Sequence, residues 1–173
     1  MLSPTDESHP PALGGRCESE PIRVRDARVE DAETIARFNE AMALETEAIR
    51  LDPAVVQAGV RAVLDNPAKG RYFVAERGSE IAGALLITYE WSDWRNANFI
   101  WLQSVYVAPL HRRAGVFTAL YRHVERLGQG AGFCSVRLYM DAGNATARVT
   151  YERLGLRHGN YIVFETPDRL REP

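Results

Sequence analysis

Ser104-Val105-Tyr106-Val107-Ala108-Pro109-Leu110-His111-Arg112-Arg113-Ala114-Gly115-Val116-Phe117 is an apolar run that meets proline, then three basic side chains and a glycine, then a new apolar rhythm. It reads as a strand, a short turn and the start of a helix. The first N–H groups of a helix have no intrahelical acceptor, and with the helix dipole they hold anions such as a pyrophosphate. Gly115 lets the backbone come close, and Arg112 and Arg113 can add charge-assisted bonds. Taken alone, the plainer reading is a strand-to-helix connection with two solvated arginines.

The elements on either side give that turn a setting. Ile22 to Arg25 alternates apolar with charged, as a short strand does. From Glu30 onward Ile35, Phe38, Met42 and Ile49 recur at helical spacing, with acids in the first turn. Asp52-Pro53 opens a second helix as an N-cap followed by proline, and Val56, Val60 and Val63-Leu64 form its inner stripe. Arg71–Glu76 and Ile81–Tyr89 pair as a hairpin, a polar loop follows over Trp91–Asn98, and Phe99–Val107 is strongly apolar. The helix from Val116 carries Leu120, Val124 and Leu127 on one face, and Gly128 is placed to end it. Val136, Leu138 and Met140 alternate as a strand, Asn144–Leu154 is a short helix closed by Gly155, and Tyr161–Phe164 is a last strand. The order β-α-α-β-β-β-α-β-α-β predicts an α/β (α+β) fold, a mixed sheet with helices packed on its faces.

Length and composition set the bounds. The chain has 173 residues, 46% hydrophobic and 25% charged, which suits one globular domain over 22–173. Residues 1–21, rich in proline, serine and acid, read as a flexible tail. A net charge of −2 gives no electrostatic footprint for bulk nucleic acid or anionic membrane. Cys17 and Cys134 make neither a disulfide framework nor a zinc site, and the four histidines lack metal-ligand spacing, so no metal is expected. The sequence shows neither a signal peptide nor an apolar run of membrane-spanning length, which makes the cytoplasm the expected address. A P-loop would need Gly-Lys-Ser/Thr after its glycines, and none follows.

A second stretch changes the reading of the first. Asn144-Ala145-Thr146-Ala147-Arg148-Val149-Thr150-Tyr151-Glu152-Arg153-Leu154-Gly155-Leu156 places Asn144, Ala147 and Tyr151 near one face of a helix. Together the two stretches resemble the GNAT N-acetyltransferase superfamily. Arg112 and Gly115 match its R/Q-x-x-G-x-G/A coenzyme A loop. Asn144, Ala147, Tyr151 and Gly155 match its N-x-x-A-x-x-x-Y-x-x-x-G-F helix, with Leu156 in place of the final Phe. The element order from Ile22 to Phe164 fits as well. Phe117 departs from the pattern, standing where the family most often has Gly or Ala, so either its ring points away from the pyrophosphate or the loop is slightly wider.

The resemblance implies a mostly antiparallel central sheet whose central strands splay, with acetyl-CoA as cosubstrate in the gap. Backbone groups of Val105, Tyr106 and Val107 would line the pantetheine arm. Arg112, Arg113, Ala114, Gly115, Val116 and Phe117 would cradle the pyrophosphate, with Asn144 and Ala147 beside the arm. It further implies attack of a primary amine on the thioester, with Tyr151 as general acid and a carboxylate or a water as base. Glu90 is the preferred carboxylate and Glu45 the second, ahead of Glu47 and Asp93. Gln103 sits where some relatives carry a catalytic Glu, and an amide cannot take up that proton. Glu90, Trp91 and Gln103 would meet the acceptor, a small amine or a protein amino group, as a wall of aromatic and acidic groups suited to a cation. Dimers are common in the family, which leaves a homodimer open. The competing reading is a non-catalytic acyl-CoA-binding or regulatory module of the same fold.

Overall fold

The structure, a computed structural model, describes residues 20–130, 132–164 and 166. The tail expected over 1–21 lies, through residue 19, outside the described residues, as does Cys17. In chain order the elements are β1 (Ile22–Asp26), α1 (Ala32–Glu47), α2 (Pro53–Leu64), β2 (Arg71–Arg77), β3 (Glu80–Ser92), β4 (Ala97–Val107), α3 (Val116–Gly130), β5 (Phe133–Leu138) and α4 (Ala145–Arg153). They build one five-stranded sheet in the order β1-β2-β3-β4-β5. Every neighbouring pair is antiparallel except β4 with β5, which the α3 crossover makes parallel.

Strand alternation sends two sets of side chains to opposite faces. On one face Phe73, Leu85, Ile87, Ile100 and Leu102 meet Val116, Leu120 and Val124 of α3. On the other, Tyr72, Val74 and Ala84 meet Ile35 of α1 and Val60 of α2. Asp52 caps α2 as its sequence requires, its carboxylate accepting from the Ala54 N–H at 2.8 Å. A single 3-10 turn leads into α1, and its buried Asp31 accepts two bonds from Arg25, at 2.6 and 3.0 Å, and one from the Arg28 N–H at 2.7 Å. That fork ties the start of α1 to the edge of the sheet.

Three expectations need correction. The loop expected over Trp91–Asn98 is a tight hairpin: β3 runs on to Ser92, a turn covers Asp93–Asn96, and β4 starts at Ala97. Cross-strand pairing of Glu90 with Phe99 and Trp91 with Asn98 carries the ladder through a polar stretch that reads as loop, and Asn96 takes the left-handed conformation the turn needs (φ +48°). Helix α3 passes through Gly128 instead of ending there, and a Cβ at that position would stand 3.7 Å from the Ile100 side chain, in ordinary contact, so the glycine sits on the packed face of a continuing helix. Tyr161–Phe164 form no strand, and all four side chains are exposed. An apolar tetrapeptide becomes a strand only with a partner ladder, and among the described residues no strand pairs with the chain after β5 ends at Leu138.

Candidate active site

β4 outruns its parallel neighbour. Pairing with β5 ends at Leu102 opposite Leu138, whereas β4 continues to Val107. Just there the register against β3 shifts, from Ile87 opposite Leu102 to Leu85 opposite Val105, so β4 holds one extra residue at Gln103–Ser104. Such a bulge bends a strand and flips the alternation beyond it. Before it Ile100 and Leu102 face α3; after it Val105 and Val107 do, and Tyr106 turns toward α1, its ring 5.1 Å from Phe38. The result is a gap between β4 and the last strand of the described sheet, β5, bordered by backbone that has no β5 partner. The expected splay is present.

The gap opens beside the turn that begins α3. Arg113 and Gly115 take left-handed conformations, φ +63° and +85°, and reverse the chain. The first backbone bond at the helix start runs from the Ala119 N–H to the Gly115 carbonyl, 2.9 Å, which leaves the N–H groups of Val116, Phe117 and Thr118 without an intrahelical acceptor. A Cβ at Gly115 would meet nothing within 4 Å, so glycine serves the dihedral there and the space above the turn is open. Phe117 is half-buried on the α3 side of the core, its ring 5.5 Å from Tyr151 and 6.3 Å from Tyr121. The large residue at the family's small position therefore looks inward and leaves the N–H donors clear. Ala114 and Arg113 are exposed in the turn.

Arg112 folds back instead of facing that open space. Its Nε donates to the Val107 carbonyl at 3.0 Å, its Nη2 to Glu45 at 2.6 Å, and its guanidinium lies 5.4 Å from the Tyr106 ring centre. The Tyr106 hydroxyl donates to the other oxygen of Glu45 at 2.6 Å. That bond first, and Arg112 next, hold the Glu45 carboxyl below its ordinary range. The arrangement pins the end of α1 to the end of β4. His111 turns toward the β2–β3 hairpin, its Nε2 3.3 Å from Glu80.

Tyr151 sits on α4, whose N-cap is Asn144: its side-chain oxygen accepts from the Ala147 N–H at 3.0 Å. Burial pushes the Tyr151 phenol above its ordinary range. The ring lines an open cavity of about 1480 Å³ along the outer edge of β5, together with Ile100 and Leu138.

The same cavity reaches the other face of the sheet, where alternation gathers Thr88 and Glu90 of β3, Phe99, Trp101 and Gln103 of β4, and Arg137 of β5, with Tyr139 just beyond it. Glu90 accepts from the Trp101 indole N–H and lies 3.3 Å from Arg137 Nη1. Trp101 stacks on Tyr139 with centres 4.4 Å apart, and Gln103 donates to the Thr88 hydroxyl at 3.0 Å. Trp91 is not part of this group. Being one residue from Glu90 it projects from the opposite face, 60% exposed, and Trp94 of the hairpin turn reaches the cavity instead. Phe99, Trp101, Arg137 and Tyr139 were not singled out from the sequence. The available signal was the alternation of Ser135, Arg137 and Tyr139 against Val136 and Leu138. Among the described residues no three His, Cys, Asp or Glu side chains converge as a metal site, and no helix is long and apolar enough to cross a membrane.

The profile of the acetyltransferase (GNAT) family matches residues 33–156, from the start of α1 through the whole turn and α4. The chain belongs to the GNAT family. A possible acetyltransferase from Clostridium difficile 630 is 39% identical in sequence and superposes with a TM-score of 0.80, covering 86% of this chain and 99% of its own. The fold is also shared by an aminoglycoside N-acetyltransferase crystallised with CoA (15% identity, TM-score 0.72, 88% and 98% covered). A ribosomal-protein-alanine N-acetyltransferase from Brucella melitensis biovar Abortus 2308 shares it too (13% identity, TM-score 0.69, 86% and 100% covered). Among curated proteins none matches the chain. GNAT membership and the mostly antiparallel sheet with flanking helices agree with what the two motifs implied.

Proposed function

We propose that this GNAT protein is an N-acetyltransferase that moves the acetyl group of acetyl-CoA to a primary amine by direct attack. One observation carries the reading: β4 parts from β5 beside a helix start whose N–H groups are unsatisfied. Those donors fit a diphosphate, and the backbone of Val105, Tyr106 and Val107, paired with β3 but with no β5 partner, fits an extended amide-bearing arm, to which it can bond as an added strand does. Arg113, Ala114, Gly115, Val116 and Phe117 would surround the diphosphate, with Asn144 and Ala147 toward the arm. Arg112 would hold the turn in shape through Val107 and Glu45. When bound, acetyl-CoA supplies an activated thioester.

The chain's own groups then move protons. Tyr151, kept protonated by its burial, donates to the departing sulfur. A backbone N–H near Val105 would steady the developing oxyanion. Glu45 is tied to both Tyr106 and Arg112 and acts as a positioning residue. Glu90 lies on the face with Trp101 and Gln103 but opposite Phe99, so it would take the ammonium proton through a chain of waters running along that face toward the bulge. The expected acceptor contacts are Glu90, Gln103 and, in place of Trp91, Trp101. That both carboxylates already face a guanidinium favours the rival reading of a binding module without turnover.

Thiol release from acetyl-CoA in the presence of an amine panel separates the two. Turnover is expected, and Tyr151→Phe should lower kcat by roughly 10² to 10⁴ while acetyl-CoA affinity stays nearly unchanged. Acetyl-CoA binding with no thiol release from any amine would establish the rival. Full activity in Tyr151→Phe would remove the phenol from the chemistry.

A further inference from the structure

Two guanidiniums gather against one ring on the acceptor side of the sheet. Arg137 lies 3.3 Å from the centre of Phe99, and Arg95, from the β3–β4 turn, lies 5.2 Å from it. Glu90 is bonded to Arg137 at 3.3 Å, and among the described residues Arg95 forms no salt bridge. Both arginines line the cavity, as do Trp101 and Tyr139. The patch sets the two guanidiniums, one of them free of any carboxylate partner among the described residues, over an aromatic floor. A guanidinium fork matches a carboxylate, and two guanidiniums on one ring favour an anion there.

Resting on the acetyltransferase reading above, we infer that the acceptor is an elongated amine bearing a carboxylate, which Arg95 and Arg137 receive while its amine points to the bulge. Its carbon chain lies on Trp101 and Tyr139. Four residues of β4 separate Phe99 from Gln103, roughly 13 Å at the usual rise of a strand. The arginine side chains shorten that span but do not close it. An ω-amino acid bridges the two ends; an α-amino acid, whose two charges share one carbon, does not. The inference replaces the cation-selective wall expected from the sequence, because the same face that holds Glu90 holds the two arginines.

The test titrates the full chain, with and without CoA, using 4-aminobutanoate, 6-aminohexanoate and 8-aminooctanoate, each against its ω-amino amide. Acid and amide present the same ammonium group, so their difference reports the carboxylate. At least one acid should bind about tenfold more tightly than its amide, and Arg95→Gln, in an exposed turn, should bring that ratio close to one. Arg137→Gln should do the same. Equal binding of every acid and amide, or a preference that survives Arg95→Gln, overturns the inference. Failure to take up CoA would count against the acetyltransferase reading alone, since the acid-to-amide ratio is scored in both series.

Discussion

Glu45 and Arg112 stand 67 residues apart in the chain and meet at 2.6 Å, with the Tyr106 hydroxyl on the second carboxylate oxygen. Both side chains of the ion pair are part-exposed, so solvent screens it and the pair is worth well under what a buried one would be. Because the Glu45 carboxyl is held below its ordinary range, what the pair adds is complete at neutral pH. It is lost as pH falls through that lowered value. This gives a sharp contrast between two roles. If Glu45 positions Arg112, Glu45→Gln should weaken acetyl-CoA binding by no more than about fivefold and leave kcat close to wild type. If it were the general base, kcat would drop by 10² or more and the acidic limb of the rate profile would vanish. Steady-state kinetics between pH 5 and 9 decides it.

At the scale of elements, Gly83 of β3 governs how the gap is held open. A Cβ there would stand 2.8 Å from the Tyr106 carbonyl and 3.0 Å from the Val116 side chain, touching the end of β4 and the start of α3 together. Gly83→Ala should therefore cost about 1–3 kcal/mol in chemical denaturation and weaken acetyl-CoA binding, because both walls of the site shift. Unchanged stability would show that the two elements are not clamped there. The role of Gly83 is invisible in sequence, where it is one glycine in an apolar run. What was legible was periodicity: helices α1 and α2, the Asp52 cap, strands β1 and β2, and the strand–turn–helix around Gly115 each follow from local spacing. The extra residue at Gln103–Ser104, the extension of β3 to Ser92 and the unpaired Tyr161–Phe164 depend on which partner a strand meets, and local spacing does not encode that. The same holds for the site. Tyr151 and the turn came from motif spacing, whereas Arg137 and Tyr139 reach Glu90 and Trp101 only through the β4–β5 register.

For the molecule as a whole, one sheet divides the labour. The α3 face carries the larger buried cluster and supports the helix start that presents free N–H groups. The α1–α2 face is covered at one end and bare at the other, where Glu90, Trp101 and Arg137 stand. The gap between β4 and β5 joins the two faces, so a cofactor entering from the α3 turn and an acceptor lying on the aromatic floor would meet near the bulge. Amide NMR of the labelled chain during titration with acetyl-CoA tests this placement most directly. The account predicts the largest shifts at Val105–Val107 and Gly115–Thr118, with lesser ones at Asn144 and Ala147. Saturable binding that leaves those amides unmoved, or no binding at millimolar ligand, would contradict it.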